Sequence, residues 1–415
     1  MQYGCIGGKL SHSFSKIIHN DLCDYEYELK EIPRDKLDSF MKQRDFKAIN
    51  VTIPYKQDVI PYLDFISDTA KSIGAVNTVV NNGGYLYGYN TDFSGMTALI
   101  KRNNIEISSK KVLVLGSGGT SKTAVAVANS LGALSVYRVS RSGNDGAITY
   151  EQAYYRHRDA QIIINTTPCG MYPNIGKSAV DISRFSSLSG VVDAVYNPLK
   201  SQLVVDAEKA GIPAVGGLYM LVAQAAFAAE KFTGANIPTE ETERVYKKML
   251  KSKENIVLIG MPGCGKTTIG KAVAEELNMS FIDTDDEIVK EAGKDIPRIF
   301  DETGEDGFRE LESKIIYRIS AVQGAVIATG GGAILRQRNI DLLKENGIIV
   351  FIDRPLEKLV TTDNRPLSKT RELLKKRYDE RYGIYKKAAD ITVKADDNLR
   401  TNITEVKREF TECEF

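Results

Sequence analysis

Three groups of residues in this chain have the types and spacing to do chemistry. Gly260-Met-Pro-Gly263-Cys264-Gly265-Lys266-Thr267 follows the apolar run Asn255–Ile259 and opens a helix-like stretch that begins at Thr267. Glycines at that spacing turn backbone N–H groups toward phosphate oxygens at a helix N-terminus. Lys266 adds a point charge on the β- and γ-phosphates, and the Thr267 hydroxyl can ligate Mg²⁺. A nucleoside triphosphate is expected here, while the loop alone leaves its phosphate acceptor open.

The second group lies just beyond. Asp283 and Asp285 are two carboxylates two residues apart at a predicted strand end, a spacing at which they can divide tasks. Arg309 and Arg381 suit forked hydrogen bonds to a carboxylate. Gly330-Gly331-Gly332 allows backbone to approach a ring closely.

The third group is Gly116-Ser-Gly118-Gly119-Thr120, after the strand-like Lys111–Leu115 and before a helix-like stretch. Strand, glycine turn and helix together predict a dinucleotide site. The next apolar run ends in Ser140-Arg141-Ser142, where an NAD-preferring site would carry an acidic residue for the ribose 2′-hydroxyl. A cation there accommodates a 2′-phosphate, so NADP(H) is expected; an exposed arginine without a role is the alternative.

The elements that must position these groups are short, apolar, β-branched runs, each followed by a glycine-rich turn and a helix-like stretch. They fall at 111–119, 160–168, 191–198, 254–263, 324–332 and 347–355. Continuous apolar strands alternating with helices predict an α/β chain with parallel sheets buried on both faces. Boundaries are expected near residue 100 and in the lysine-rich stretch 246–254, read as a linker. The expected division is a substrate-binding and catalytic domain over 1–100, completed by a helix at about 216–235; a Rossmann-type NADP domain over 101–215; and a P-loop kinase domain over 255–415.

The 415 residues allow two to four domains. A net charge of +1 argues against affinity built on neutralising nucleic-acid phosphates. No apolar stretch is long enough to span a membrane, and no basic-then-apolar leader opens the chain. Five cysteines without a CxxC pair suggest a reducing compartment, so a cytoplasmic location is expected. The three histidines form no metal constellation.

Over 254–390 the chain resembles shikimate kinase. The resemblance rests on the phosphate loop, Phe281-Ile-Asp283-Thr-Asp285, Gly304-Glu-Asp-Gly-Phe308-Arg309, the triple glycine, Arg365-Pro-Leu and Arg381-Tyr-Gly-Ile-Tyr385, in the family's order. It implies ATP contacts at Gly263, Cys264, Gly265, Lys266, Thr267, Thr268 and Arg365, the last on a lid. It implies Mg²⁺ at Thr267 and Asp283, Asp285 as catalytic base, and shikimate held by Asp285, Arg309, Gly331, Gly332 and Arg381. The family's additional arginine before the lid is missing from Leu359-Val-Thr-Thr-Asp-Asn364.

Over about 1–235 the chain resembles shikimate dehydrogenase. The matching segments are Ser11-His-Ser13-Phe-Ser15, Asn50-Val-Thr52-Ile-Pro54-Tyr-Lys56, Gly74-Ala-Val-Asn77-Thr78, Gly88-Tyr-Asn90-Thr-Asp92, Asn165-Thr-Thr-Pro, Val195-Tyr196-Asn-Pro and Leu221-Val-Ala-Gln224. The resemblance implies catalysis by Lys56 and Asp92, with Ser13 and Ser15 on the substrate carboxylate. Thr52, Asn77, Tyr196 and Gln224 would bond other substrate oxygens. NADP contacts are expected at Gly116, Gly118, Gly119, Thr120, Ser140, Arg141, Ser142, Asn165 and Gly217. Two departures stand out: Lys16 replaces a usual proline, and Tyr219, expected near the nicotinamide, replaces a glycine.

The two resemblances meet on one molecule. The first half would reduce 3-dehydroshikimate to shikimate with NADPH, and the second would phosphorylate shikimate with ATP and Mg²⁺. The expected partners are these small molecules, without nucleic acid or membrane, and a homodimer is left open. Rival readings are a nucleotide-binding regulatory role for a degenerate kinase half, activity on quinate or with NAD in the first half, and a sugar acid as phosphate acceptor.

Overall fold

The computed structural model describes residues 1–10, 14–359 and 370–413. It divides into two compact units. One comprises Met1–Met171, Lys177–Asn197 and Asp206–Leu250, and the other Tyr172–Gly176, Pro198–Val205 and Lys251–Phe415.

The first unit contains two sheets. Strands β1 (Tyr3–Gly7), β2 (Tyr27–Glu31), β3 (Ala48–Val51), β4 (Phe65–Ile66), β5 (Thr78–Asn82) and β6 (Tyr85–Tyr89) form a mixed sheet in the order β2-β1-β3-β5-β6-β4. β1 runs parallel to β2 and β3, whereas β5 is antiparallel to both β3 and β6. The β5–β6 reversal falls on Gly83 and Gly84, with φ of 61° and 92°. A two-residue hairpin that follows strand twist needs positive φ at both positions, and glycine supplies it without strain.

Strands β7 (Lys111–Leu115), β8 (Ser135–Val139), β9 (Ile162–Asn165), β10 (Gly190–Asp193) and β11 (Ala214–Val215) form the second sheet, all parallel, in the order β11-β10-β9-β7-β8. Its central runs, such as Ile162-Ile-Ile-Asn165, are buried throughout, as expected for strands covered on both faces. Strand order reverses at β7. The crevice beyond the carboxyl ends at such a point is the usual ligand site of open α/β sheets.

Helix Leu218–Thr233 returns late in the chain and packs on helix Thr91–Arg102. Close approach depends on Gly95, where a Cβ would lie 2.8 Å from the Met220 carbonyl oxygen and 2.9 Å from the Gln224 Cβ. Met96, Leu99 and Ile100 share a core with Met220 and Ala223 behind this contact.

In the second unit, β12 (Asn255–Ile259), β13 (Ser280–Asp283), β14 (Ala325–Ala328), β15 (Gly347–Asp353) and β16 (Ile391–Lys394) form a parallel sheet in the order β13-β14-β12-β15-β16. β12 is buried along its whole length, and strand order reverses at it. The stretch 246–254, expected as a linker, is helical through Lys253 and leads directly into β12. The α/β organisation with parallel sheets is therefore the one observed, with antiparallel pairing confined to the first sheet.

Candidate active sites

In the first unit, a cleft of about 700 Å³ opens where the end of β3, the N-terminus of helix Thr91–Arg102 and the start of helix Leu218–Thr233 converge. Lys56 Nζ lies 2.6 Å from Asp92 Oδ2 inside it, with both side chains half-buried. Asp92 sits in the first turn of a helix capped by Asn90, whose side chain accepts from the Phe93 N–H at 3.1 Å. Asp92 thus lies at the positive end of that helix, and its carboxylate accepts from Lys56 Nζ.

Ser15, Thr52, Asn77, Tyr196 and Gln224 line the same cleft, so the structure brings these expected residues together. Ser13 lies outside the described residues. Gln224 donates from Nε2 to the Leu221 carbonyl at 2.9 Å, which leaves Oε1 as its acceptor for a ligand. Burial raises the Tyr196 phenol above its ordinary pKa, offset in part by the charge on Lys56. Tyr196 also meets Phe14 edge-on, with ring centroids 6.1 Å apart. Phe14, a cleft residue, was missed from sequence although it lies inside the serine motif.

Gly119, Thr120 and Gly217 line the cleft too, which joins the dinucleotide-type loop to the Lys56–Asp92 pair in one cavity. A Cβ on Gly118 or Gly119 would meet nothing within 4 Å, so the first turn of helix Gly119–Ser130 presents open N–H groups suited to pyrophosphate. Gly116, with φ of 120°, begins the turn. Ser140 is buried and accepts from the Gly143 N–H at 3.0 Å, so it shapes the turn after β8, while Arg141 and Ser142 are exposed there.

Asn165 is buried, and its side chain is engaged inside the fold. Nδ2 donates to Asp193 at 2.9 Å, and Oδ1 accepts from the Thr167 N–H and hydroxyl at 3.0 and 2.8 Å. Its contribution to a cofactor site is the loop shape these bonds impose.

Tyr219 corrects an expectation. It does not line the cleft, although Met220 and Leu221 do. Its ring turns the other way, 4.9 Å beneath the Arg102 guanidinium and edge-on to Tyr246 at 5.2 Å. Burial and the neighbouring Glu243 push its phenol up to about 12. Rotation about the helix axis separates adjacent residues by about 100°, so Tyr219 adds no bulk to the lining of this cleft.

In the second unit, the phosphate loop joins β12 to helix Lys266–Leu277. Gly265 caps that helix with φ of 100°, a conformation other residues adopt only with strain. Lys266 is buried and donates to the Gly260 and Met261 carbonyls at 2.9 and 3.1 Å. Those bonds hold the ammonium across its own loop, ready to exchange carbonyl oxygens for phosphate oxygens. Cys264 is buried and Thr268 exposed beside it.

Thr267 Oγ1 donates to Asp283 Oδ2 at 2.8 Å, and Asp283 Oδ1 accepts from the Asp285 N–H at 3.0 Å. One hydroxyl and one carboxylate are hard oxygen donors. Such a pair suits Mg²⁺, which keeps several waters and takes its remaining ligands from phosphates. No cluster of three metal-ligating side chains exists among the described residues.

Arg309 and Arg381 converge on the triple glycine. Arg381 is buried and donates from Nη1 to the Gly331 carbonyl at 3.0 Å, while its Nε and Nη2 are buried without a partner. Burial lowers its pKa, because desolvation disfavours the charged guanidinium. Arg309 donates to Glu312 at 2.7 Å and approaches Glu305 at 3.3 Å, leaving Nε unpartnered. A Cβ on Gly332 would land on the Arg309 guanidinium, and one on Gly330 would come within 2.7 Å of Asp285 Oδ1. The glycines thus make room for the charged side chains themselves.

Glu312 was missed from sequence. It is buried, its pKa is raised by desolvation, and Oε1 lacks a partner. Its signal was present as an acidic residue three positions after Arg309 on one helix, the spacing of side-chain neighbours. Arg365 lies outside the described residues.

The first site has the parts of a nicotinamide-dependent oxidoreductase with a Lys–Asp pair, and the second those of a P-loop kinase for a small anionic acceptor. Comparisons with known proteins sharpen both classes. Residues 5–79 match the shikimate dehydrogenase substrate binding domain, and residues 262–411 match shikimate kinase. A shikimate dehydrogenase (NADP(+)) of Clostridium beijerinckii is 39% identical over 59% of this chain and 96% of its own length. A shikimate kinase of the same organism is 45% identical over 37% of this chain and 94% of its own. The crystal structure of a Thermus thermophilus shikimate 5-dehydrogenase in complex with NADP(H) and shikimate aligns with a TM-score of 0.54. It is 27% identical, over 60% of this chain and 99% of that one. The chain belongs to the shikimate dehydrogenase family over its first part and to the shikimate kinase family over its last.

Proposed function

We propose that this chain is a bifunctional enzyme of the shikimate pathway that reduces 3-dehydroshikimate to shikimate and then phosphorylates shikimate at the same oxygen. In this reading residues 1–100, completed by the helix at 216–235, bind the substrate; 101–215 bind NADP(H); and 255–415 form the kinase. One observation carries the first half: the Lys56–Asp92 pair shares a single cleft with the dinucleotide-type loop. For the second half it is the buried, half-unpartnered guanidinium of Arg381 beside Arg309.

NADPH supplies the hydride to the ring carbon. Lys56 gives its proton to the ring oxygen that gains negative charge, and Asp92 holds the lysine in line. Ser15, with Ser13, receives the ring carboxylate, while Thr52, Asn77, Tyr196 and Gln224 bond the remaining oxygens. Gly116, Gly118, Gly119 and Thr120 receive pyrophosphate, and Arg141 the 2′-phosphate.

ATP with Mg²⁺ supplies the phosphoryl group. Asp285 accepts the proton of the acceptor hydroxyl, and Arg309 and Arg381 fix the ring carboxylate by forked bonds. Lys266 and the loop N–H groups hold phosphate oxygens, and Thr267 and Asp283 orient the metal.

The test is a paired assay on the intact chain: oxidation of NADPH with 3-dehydroshikimate, and formation of shikimate 3-phosphate from ATP and shikimate. Absence of either product from folded protein overturns that half. Binding of ATP without transfer to shikimate would favour a regulatory role for the second unit.

A further inference from the structure

Beneath the first cleft lies a run of buried polar side chains, of which Asn77 alone has a role assigned from the sequence. The Tyr27 hydroxyl donates to Asn50 Oδ1 at 2.6 Å. Asn50 Nδ2 reaches Thr78 Oγ1 at 3.2 Å and the Asn77 carbonyl at 3.3 Å. Thr78 Oγ1 lies 3.0 Å from Thr91 Oγ1. The Thr91 hydroxyl and backbone N–H reach Asn77 Oδ1 at 3.2 and 2.7 Å, and Thr78 Oγ1 lies 3.1 Å from the same oxygen. All five residues are buried.

The direction of this chain is fixed at two points by backbone groups. A backbone N–H can only donate, so the Asn77 atom facing Thr91 must be the carboxamide oxygen. A backbone carbonyl can only accept, so the Asn50 atom facing Asn77 must be the amide nitrogen. With both amides fixed, every hydroxyl proton is spoken for: Tyr27 donates to Asn50, Asn50 to Thr78, Thr78 to Thr91 or Asn77, and Thr91 to Asn77. One group is left over. Asn77 lines the cleft, and its remaining polar atom is Nδ2, a donor only.

We propose that Tyr27, Asn50, Thr78 and Thr91 are positioning residues that lock Asn77 to present a hydrogen-bond donor to the bound ring. The site therefore selects a ligand with an accepting oxygen at that position. Gln224 lines the same cleft, and since only one of its two Nε2 hydrogens goes to the Leu221 carbonyl, both its Oε1 and its second N–H are left for a ligand. Buried chains of this kind strengthen each member by polarisation, and a single missing donor leaves a costly unsatisfied oxygen. The inference rests on the dehydrogenase reading of this cleft.

The test uses the full-length chain, with kcat and KM for NADPH of the first unit as the internal check on its folding. Thr91→Val and Thr78→Val each remove one hydroxyl from the relay and are expected to raise KM for the ring substrate about five- to tenfold. KM for NADPH and kcat should stay within about twofold of the parent. Because the two hydroxyls reach the same Asn77 oxygen and each other, the double variant should depart from the product of the two single effects. Thr91→Ser, which restores the hydroxyl, should return KM to within about twofold. An unchanged KM, an additive double variant, or a loss confined to kcat would overturn the relay. Should Thr91→Val fail to fold, Thr78→Val alone decides. A parent enzyme that reduces no 3-dehydroshikimate would instead overturn the function assigned to the cleft.

Discussion

Lys56 and Asp92 are 36 positions apart in the chain, yet their side chains meet at 2.6 Å at the floor of one cleft. β3 and the β5–β6 hairpin bring them together, since Asn77, just before β5, accepts from the Val51 N–H at the end of β3 and from the Thr91 N–H of the helix that carries Asp92. The pair is thus built by the sheet, and its chemistry should be separable from that of the second unit.

Lys56→Ala is expected to lower the reduction rate about 10²- to 10⁴-fold, the usual worth of a positioned proton donor. Phosphorylation by the same chain should be unaffected. Parallel assays of both reactions on one preparation decide the point, and loss of both would mean the two sites are not independent.

Metal removal should do the reverse. Excess chelator is expected to stop phosphorylation and leave NADPH oxidation intact. Thr267→Ala, which deletes the hydroxyl bonded to Asp283, should raise the Mg²⁺ concentration for half-maximal kinase activity by about tenfold. A Mg²⁺ titration of the variant that overlays the parent's would exclude Thr267 as a ligand.

Arg141 is exposed at the end of β8. Arg141→Ala should raise KM for NADPH about tenfold or more, as expected for a lost charge-assisted bond, while that for NADH moves little. Equal effects on the two cofactors would remove it from the 2′-phosphate site.

Gly332→Ala places a methyl group on the Arg309 guanidinium. Kinase KM for shikimate is expected to rise about tenfold or more, with KM for ATP within about twofold. Steady-state kinetics with each substrate varied in turn distinguish this from general damage to the phosphate loop.

His19 gives the first unit a pH dependence of known sign. It is buried, stacked on Tyr27 with ring centroids 4.1 Å apart, and its Nε2 has no partner. Desolvation by burial lowers its pKa from an ordinary 6.5 to about 3. As pH falls, the unfolded chain takes the proton first. Stability from this group is therefore full above about 6.5 and is lost toward about 3, at about 1.4 kcal/mol per pH unit. His19→Phe keeps the stack and removes the proton site. Urea midpoints for loss of dehydrogenase activity, compared between parent and variant from pH 6.5 to 4, should show a shallower slope in the variant. Parallel slopes would contradict the neutral buried state.

Much of both sites could be read in the chain because their chemistry is local. The phosphate loop needs glycine, lysine and threonine at fixed offsets, and those offsets survive in any tertiary context that supplies a strand before and a helix after. Asp283 and Asp285 likewise sit where a strand end and a first helical turn put them. Glu312 was harder to see. An acidic residue three positions from an arginine is usually a solvated pair, and only burial beneath Gly330 makes it a support for Arg309. Tyr219 is expected near the nicotinamide from its place before Met220 and Leu221; in the structure those two line the cleft while its own ring packs against Arg102 and Tyr246. Asn165 is expected from sequence to contact NADP, and only the structure shows its amide bonded to Asp193 and Thr167.

Residue types and their spacing along the chain were enough to fix two nucleotide loops, the α/β class and the catalytic pair as candidates, because each depends on groups close in sequence or on strand periodicity. Which way the Asn77 amide points, where Tyr219 turns and what steadies Arg309 were decided only in three dimensions. Those outcomes depend on donors and methyl groups arriving from distant segments, and no local pattern encodes which of two nearly isosteric orientations a buried amide will take.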